Sequence, residues 1–221
     1  MPVLPLLPAA AFSKGSPSLE RAVARHFEKS DPLGPGLSSE RIAGRIPNAR
    51  RIEPFLWGVA TSDFQMEGSP FADWSDWDRH LSPEGSVTDH HLRFHHDIRL
   101  LKQMGVNAYR LSLEWSRIEP EDGRIDEAAL DRYCQMVESL LEYGIEPMVT
   151  LHHFTNPLWF SESTPWHDER SVERFVRFVE RAVPRLAAVR YWITFNEPYV
   201  LILGGYFDGC MPPGVRNPLL G

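Results

Sequence analysis

Cysteine is scarce: Cys134 and Cys210 are the only two in 221 residues, so no disulfide framework is implied. No apolar run approaches the roughly 20 residues a helix needs to cross a bilayer. Positive charge is in deficit, and a formal net charge of -7 argues against nucleic acid or an anionic membrane as partner. What remains is a chain with 43% hydrophobic residues, enough to build a core in one domain or most of a larger one. Met1–Phe12 is apolar, but Pro2, Pro5 and Pro8 interrupt it and no basic residue precedes it. That is a poor secretory signal, and the expected location is cytoplasmic.

Residues 1–53 differ from the rest. Pro, Gly and Ser recur through Ser13–Ser18 and Asp31–Ser39, around one short helical pattern at Ser18–Lys29. This part is expected to be an extension of low order without chemistry of its own. From residue 54 the pattern is regular. Phe55–Thr61, Val106–Leu113, Glu146–Leu151 and Arg190–Phe195 have the apolar character of buried strands.

Helical stripes separate these strands. Leu130, Tyr133, Cys134, Val137, Leu140 and Leu141 mark one face, and Val172, Phe175, Val176, Val179, Ala182, Val183 and Leu186 a second. His91–Met104 is a weaker third. Gly105 and Gly144 each stand between a helix and a strand, as left-handed caps do, and Pro184 should kink the last helix. A further helix starts near Val200. Alternating strands and helices imply right-handed crossovers and a parallel sheet. The expected fold is α/β, the first half of a TIM (β/α)8 barrel over residues 54–221. A doubly wound sheet is the alternative, but no Gly-rich phosphate loop follows the first strand.

Polar groups gather at the C-terminal end of each strand. The first has Gln65 and Glu67, the second Arg110, Glu114 and Trp115, the third His152 and His153, the fourth Asn196 and Glu197. A barrel enzyme keeps its site at that end. Tyr191-Trp-Ile-Thr-Phe-Asn-Glu-Pro198 is the most telling stretch, since it ends a buried strand on an amide, a carboxyl and a ladder-stopping proline. Amides, imidazoles and the indoles of Trp57, Trp77, Trp115 and Trp159 suit a sugar, whose hydroxyls need partners and whose C–H faces stack on rings. No lysine is placed for a Schiff base, so an aldolase or isomerase barrel is disfavoured. His91 and His95 have an i,i+4 spacing that zinc can use, yet no third ligand is assigned. Neither metal nor cofactor is expected.

Five ordered stretches then carry a family resemblance. They are Phe55-Leu-Trp-Gly-Val-Ala-Thr-Ser62 with Gln65-Met-Glu-Gly68, Asp89-His90 with Asp97, Asn107-Ala-Tyr-Arg-Leu-Ser-Leu-Glu-Trp-Ser-Arg-Ile118, Gly144-Ile-Glu-Pro-Met-Val-Thr-Leu-His-His-Phe154, and Tyr191–Pro198. Over residues 54–215 the chain resembles the N-terminal half of a family 1 glycoside hydrolase, the retaining β-glucosidase and β-galactosidase type. Glu114 and His153-Phe-Thr-Asn-Pro157 are similar to its archaeal-type branch.

The resemblance implies a β-linked glycoside or oligosaccharide as substrate and Glu197 as acid/base. It implies that Asn196 binds the sugar 2-hydroxyl, that Gln65 and His153 hold other hydroxyls, and that Arg110 lies beneath the nucleophile. Trp115 would help wall the same subsite. The family nucleophile sits in a Thr-Glu-Asn-Gly motif on the seventh strand, and no such motif occurs here. Glu67 and Glu114 match no family nucleophile. Retention needs two carboxylates about 5–5.5 Å apart, so the expectation is a truncated enzyme, inactive alone. The alternatives are a half-barrel completed by a second chain or copy, and a non-catalytic sugar- or partner-binding remnant.

Overall fold

The computed structural model describes residues 55–77, 88–163 and 165–217. The extension over residues 1–53 and its helical pattern at 18–29 lie outside them. Four strands form one parallel sheet in the order β1-β2-β3-β4: β1 Gly58–Ala60, β2 Ala108–Ser112, β3 Glu146–His152 and β4 Tyr191–Phe195. Their register sets Ala60 beside Arg110, Ser112 beside Thr150 and His152 beside Phe195. Gly58 is required by this pairing, because a Cβ there would meet the Ala108 carbonyl oxygen at 2.7 Å.

Every crossover contains a long helix. These are α3 His90–Gln103, α5 Glu127–Glu142 and α7 Arg170–Ala182. Short helices follow the strands: α1 Asp63–Glu67 and α2 Asp73–Trp77 after β1, α4 Trp115–Ile118 after β2, α6 Leu158–Ser163 after β3, and α8 Pro198–Ile202 after β4. α5 begins where the Asp126 carboxylate accepts from the Ala129 amide at 3.0 Å, a helix cap worth about 1 kcal/mol. α3 and α5 lead into Gly105 and Gly144 at φ +76° and +69°, left-handed positions that suit glycine. At Pro184 the α-helix gives way to a 3₁₀ turn, Val183–Leu186, because proline offers no amide hydrogen.

The core lies between the sheet and its helices. Tyr109, Leu111, Leu113, Val149 and Leu151 project toward the helices, and the period of two sends Arg110, Ser112 and Thr150 to the opposite face. α5 buries Leu130, Tyr133, Val137 and Leu140 as its spacing predicts, while Leu141 is exposed. The α7 stripe needs correction. Its buried apolar side chains are Phe175, Phe178 and Ala182, whereas Val172 and Val176 face solvent. Large aromatic rings at i, i+3 and a small Ala at i+7 fit the sheet better than the β-branched set a turn away.

Candidate active site

The C-terminal strand ends carry the polar residues, and hydrogen bonds join several of them. Arg110 of β2 donates from Nε to Thr150 Oγ1 at 2.8 Å and from Nη2 to Asn196 Oδ1 at 2.6 Å. This fork spans β3 and ties the middle of β2 to the end of β4. Asn196 is buried, and its backbone N–H donates to the His152 carbonyl at 2.8 Å. With Oδ1 accepting from Arg110, the Nδ2 group remains as the side chain's donor.

His153 bonds through Nδ1 to Ser112 Oγ at 2.9 Å. Burial, then the charge of Arg110, lowers its pKa to about 4, so the ring is neutral at pH 7. Gln65 lies on α1 at the end of β1 and accepts from Ser62 Oγ. Glu197 caps α8 with its side chain exposed and its backbone left-handed, at φ 44° and ψ 58°. A non-glycine residue in that region stores about 1–3 kcal/mol, a cost often found at functional positions. Among the described residues no hydrogen bond links Gln65 or the Glu197 carboxylate to Arg110, Asn196 or His153.

Trp115 is placed otherwise than expected. It is 1% exposed, its Nε1 donates to Glu119 Oε2 at 2.8 Å, and Phe160, Phe175 and Phe178 pack around its ring. Its indole points toward the helices and is core, not subsite wall. Trp159 is half-buried against the same core, and its Nε1 donates to the Glu119 carbonyl at 2.8 Å. Trp57 and Trp77 are the exposed indoles.

His152 is buried. Nε2 bonds to Asn156 Oδ1 at 2.9 Å, and Asn156 Nδ2 donates to Asp73 Oδ2 at 2.8 Å. Since Trp166 Nε1 also donates to that Oδ1 at 2.9 Å, the network assigns the proton to His152 Nε2. His91 Nδ1 lies 3.6 Å from Glu67 Oε2, and His95 Nδ1 lies 3.4 Å from Ser139 Oγ. The two histidines thus look toward different partners. Sequence reasoning passed over Asp63, Ser112, Thr150 and Tyr133; only the i,i+4 spacing of Asp63 with Glu67 hinted at one of them.

The glycosyl hydrolase family 1 profile matches residues 49–220. The chain belongs to glycosyl hydrolase family 1. Among family 1 relatives, it is 38% identical over 186 residues to "Beta-glucosidase A" of Thermotoga maritima, covering 75% of this chain and 40% of the relative. It is 33% identical to the "6-phospho-beta-galactosidase" of Clostridium acetobutylicum, covering 74% and 37%. A solved beta-glycosidase from Pyrococcus horikoshii superposes with a TM-score of 0.71 at 37% identity, covering 75% of this chain and 40% of that one. The Thermotoga maritima beta-glucosidase in complex with castanospermine gives 0.68 at 34%, covering 75% and 41%. The family 1 chain therefore spans about 40% of the length of these relatives and is a partial α/β barrel.

Proposed function

We propose that this chain is the first half of a retaining β-glycosidase of the β-glucosidase type. Within the complete barrel, Glu197 would protonate the leaving glycosidic oxygen and then deprotonate the attacking water. Asn196 would donate Nδ2 to the sugar 2-hydroxyl, and His153 and Gln65 would bind other hydroxyls of that ring. Arg110 would set Asn196 and favour the ionised form of the nucleophile by its charge. The observation that carries this reading is the Arg110–Asn196 bond, which orients an amide directly before the strand-end carboxyl Glu197.

The nucleophile would come from further β-α units, supplied by the rest of the polypeptide or by a second chain. The 40% coverage of relatives supports this, as do the free outer edges of β1 and β4 among the described residues. A cytoplasmic setting fits the two free cysteines. No helix among the described residues is long and apolar enough to cross a membrane. The test joins this chain to the second half of the Thermotoga maritima relative and measures hydrolysis of an aryl β-glucoside. Turnover that depends on Glu197 is the expected result. A folded, joined barrel without turnover would favour the non-catalytic reading.

A further inference from the structure

Three carboxyl groups lie buried near the ends of β1 and β2. Asp63 and Glu67 come from α1, and Glu114 from the turn after β2. Their relative exposures are 4%, 5% and 0%. Glu67 Oε2 accepts from the Tyr133 hydroxyl at 2.8 Å and lies 3.9 Å from Arg117 Nε. Glu114 Oε1 accepts from the Ser116 amide at 3.1 Å and from the Ser116 hydroxyl. Asp63 Oδ1 and Glu114 Oε2 are buried without a hydrogen-bond partner among the described residues.

Three anions could not stand together here. Arg117 is the cation whose charge favours ionisation of Glu67 and Glu114. His91 offers no second positive charge, because burial and then Arg117, Arg132 and His90 lower its pKa to about 4 against the opposing pull of Asp126. Tyr133 and Tyr109 face the acids as neutral phenols, pushed up first by burial. An isolated buried carboxylate is costly enough that the group takes up a proton instead.

The same residues brace one segment. Arg117 Nη2 donates to the Gly68 carbonyl at 2.6 Å, the Ser116 and Ser69 hydroxyls are hydrogen-bonded at 2.7 Å, and Tyr133 OH donates to Glu67. Gln65 stands two residues before the first of these fixed points, Glu67, on the same short helix. We propose that Asp63, Glu67 and Glu114 form a buried, protonated anchor that positions the Gln65 segment on β2, and that this anchor loosens when its protons leave. The link to sugar binding rests on the glycosidase reading; the anchor itself does not.

Burial raises Glu67 to about 7, burial and then the charge of Glu67 raise Glu114 to about 8, and burial and then the charge of Glu114 raise Asp63 well above the usual carboxyl range. Acids raised in this way stabilise the fold fully below their unfolded values, near 4. That contribution is lost as pH rises through about 7 and beyond. The test is an infrared titration of the whole chain carrying ¹³C-labelled Asp and Glu, followed by amide exchange. A carboxylic-acid C=O band should persist at pH 7, fade on the alkaline side and shrink in Glu114→Gln. Amide exchange over residues 62–69, corrected for intrinsic rate and measured against α5, should quicken about tenfold over the same range. The wild-type titration decides the matter even if Glu114→Gln does not fold. Full ionisation below pH 6, or exchange at 62–69 that merely follows α5, overturns the anchor. Neither readout uses a sugar, so an inactive enzyme and a failed anchor are distinguishable.

Discussion

Arg110 and Asn196 stand 86 positions apart in sequence, yet the guanidinium donates to the Asn196 amide oxygen at 2.6 Å. The bond fixes which end of the amide meets the guanidinium, a choice that sequence cannot display. It also gives Arg110 a role separate from its charge, the setting of the Asn196 amide, which the proposed reading places at a sugar hydroxyl. Removing the donor should therefore act through one sugar hydroxyl.

Asn196→Ala in the completed barrel should lower kcat/KM by about 10²-fold, or ~2.7 kcal/mol, since hydrogen bonds to the 2-hydroxyl strengthen in the transition state. The loss should vanish with a 2-deoxy glycoside. An equal loss on both substrates would place Asn196 in a structural role alone.

Glu197→Gln should cut hydrolysis of substrates with poor leaving groups by about 10²–10⁴-fold. Activated leaving groups need no protonation, so their glycosylation step should suffer less. Glu197→Gly adds a stability test, because φ 44° suits glycine. That variant should gain up to about 1 kcal/mol in urea unfolding while losing the acid. A destabilised Glu197→Gly would mean that this backbone is not strained.

The strand-helix alternation and the polar strand ends were legible because periodicity and capping glycines are local signals. Three of the four strands lie within their expected spans, β3 runs one residue further to His152, and the helix at Val200 begins at Pro198. What stayed hidden was side-chain direction. Trp115 follows Glu114 at a strand end, and only the turn geometry of α4 decides that its indole enters the core. Val172 and Val176 were chosen over Phe178 because an apolar stripe over adjoining turns has more than one solution. Glu67 and Glu114 were legible as strand-end carboxyls, but their burial and the part of Asp63 were not, because both depend on the packing of Tyr133 against α1 and the turn after β2.

If Trp115 is core, its truncation is a stability event. Trp115→Ala should cost about 3–5 kcal/mol in denaturant unfolding of this chain, the range for large aromatic truncations. In the completed barrel, residual KM should change little where the variant stays folded. A small stability loss with a large rise in KM would return Trp115 to the sugar subsite.

His152 sets an acid limit on the fold. Burial lowers its pKa to about 4, against an ordinary value of 6.5, despite the Asn156 bond. A base depressed in the folded state contributes stability above its unfolded pKa and loses it as pH falls toward 4. For this fully buried ring the contribution is about 3 kcal/mol as an upper figure. Imidazole NMR should show His152 neutral, with the proton on Nε2, at pH 5.5. A charged ring at that pH would contradict the network with Asn156 and Asp73.

The last prediction concerns the two outer strands. β1 and β4 each pair on one side among the described residues, and Phe55, Trp57 and Tyr199 are 71%, 69% and 71% exposed. Unpaired strand edges and clustered rings are surfaces that a protein normally covers. The 221-residue chain alone should therefore bind a hydrophobic dye and show no hydrolysis of an aryl β-glucoside. Joined to four further β-α units it should lose most of the dye signal, because strands would pair on both edges and rings would meet a covering layer. Turnover by a verified monomer of the chain alone, abolished by Glu197→Gln, would show that a carboxylate within these residues acts as nucleophile. The burial of Glu67 and Glu114 argues against that outcome: both carboxyls are closed off from solvent, and Glu67 is already held by Tyr133.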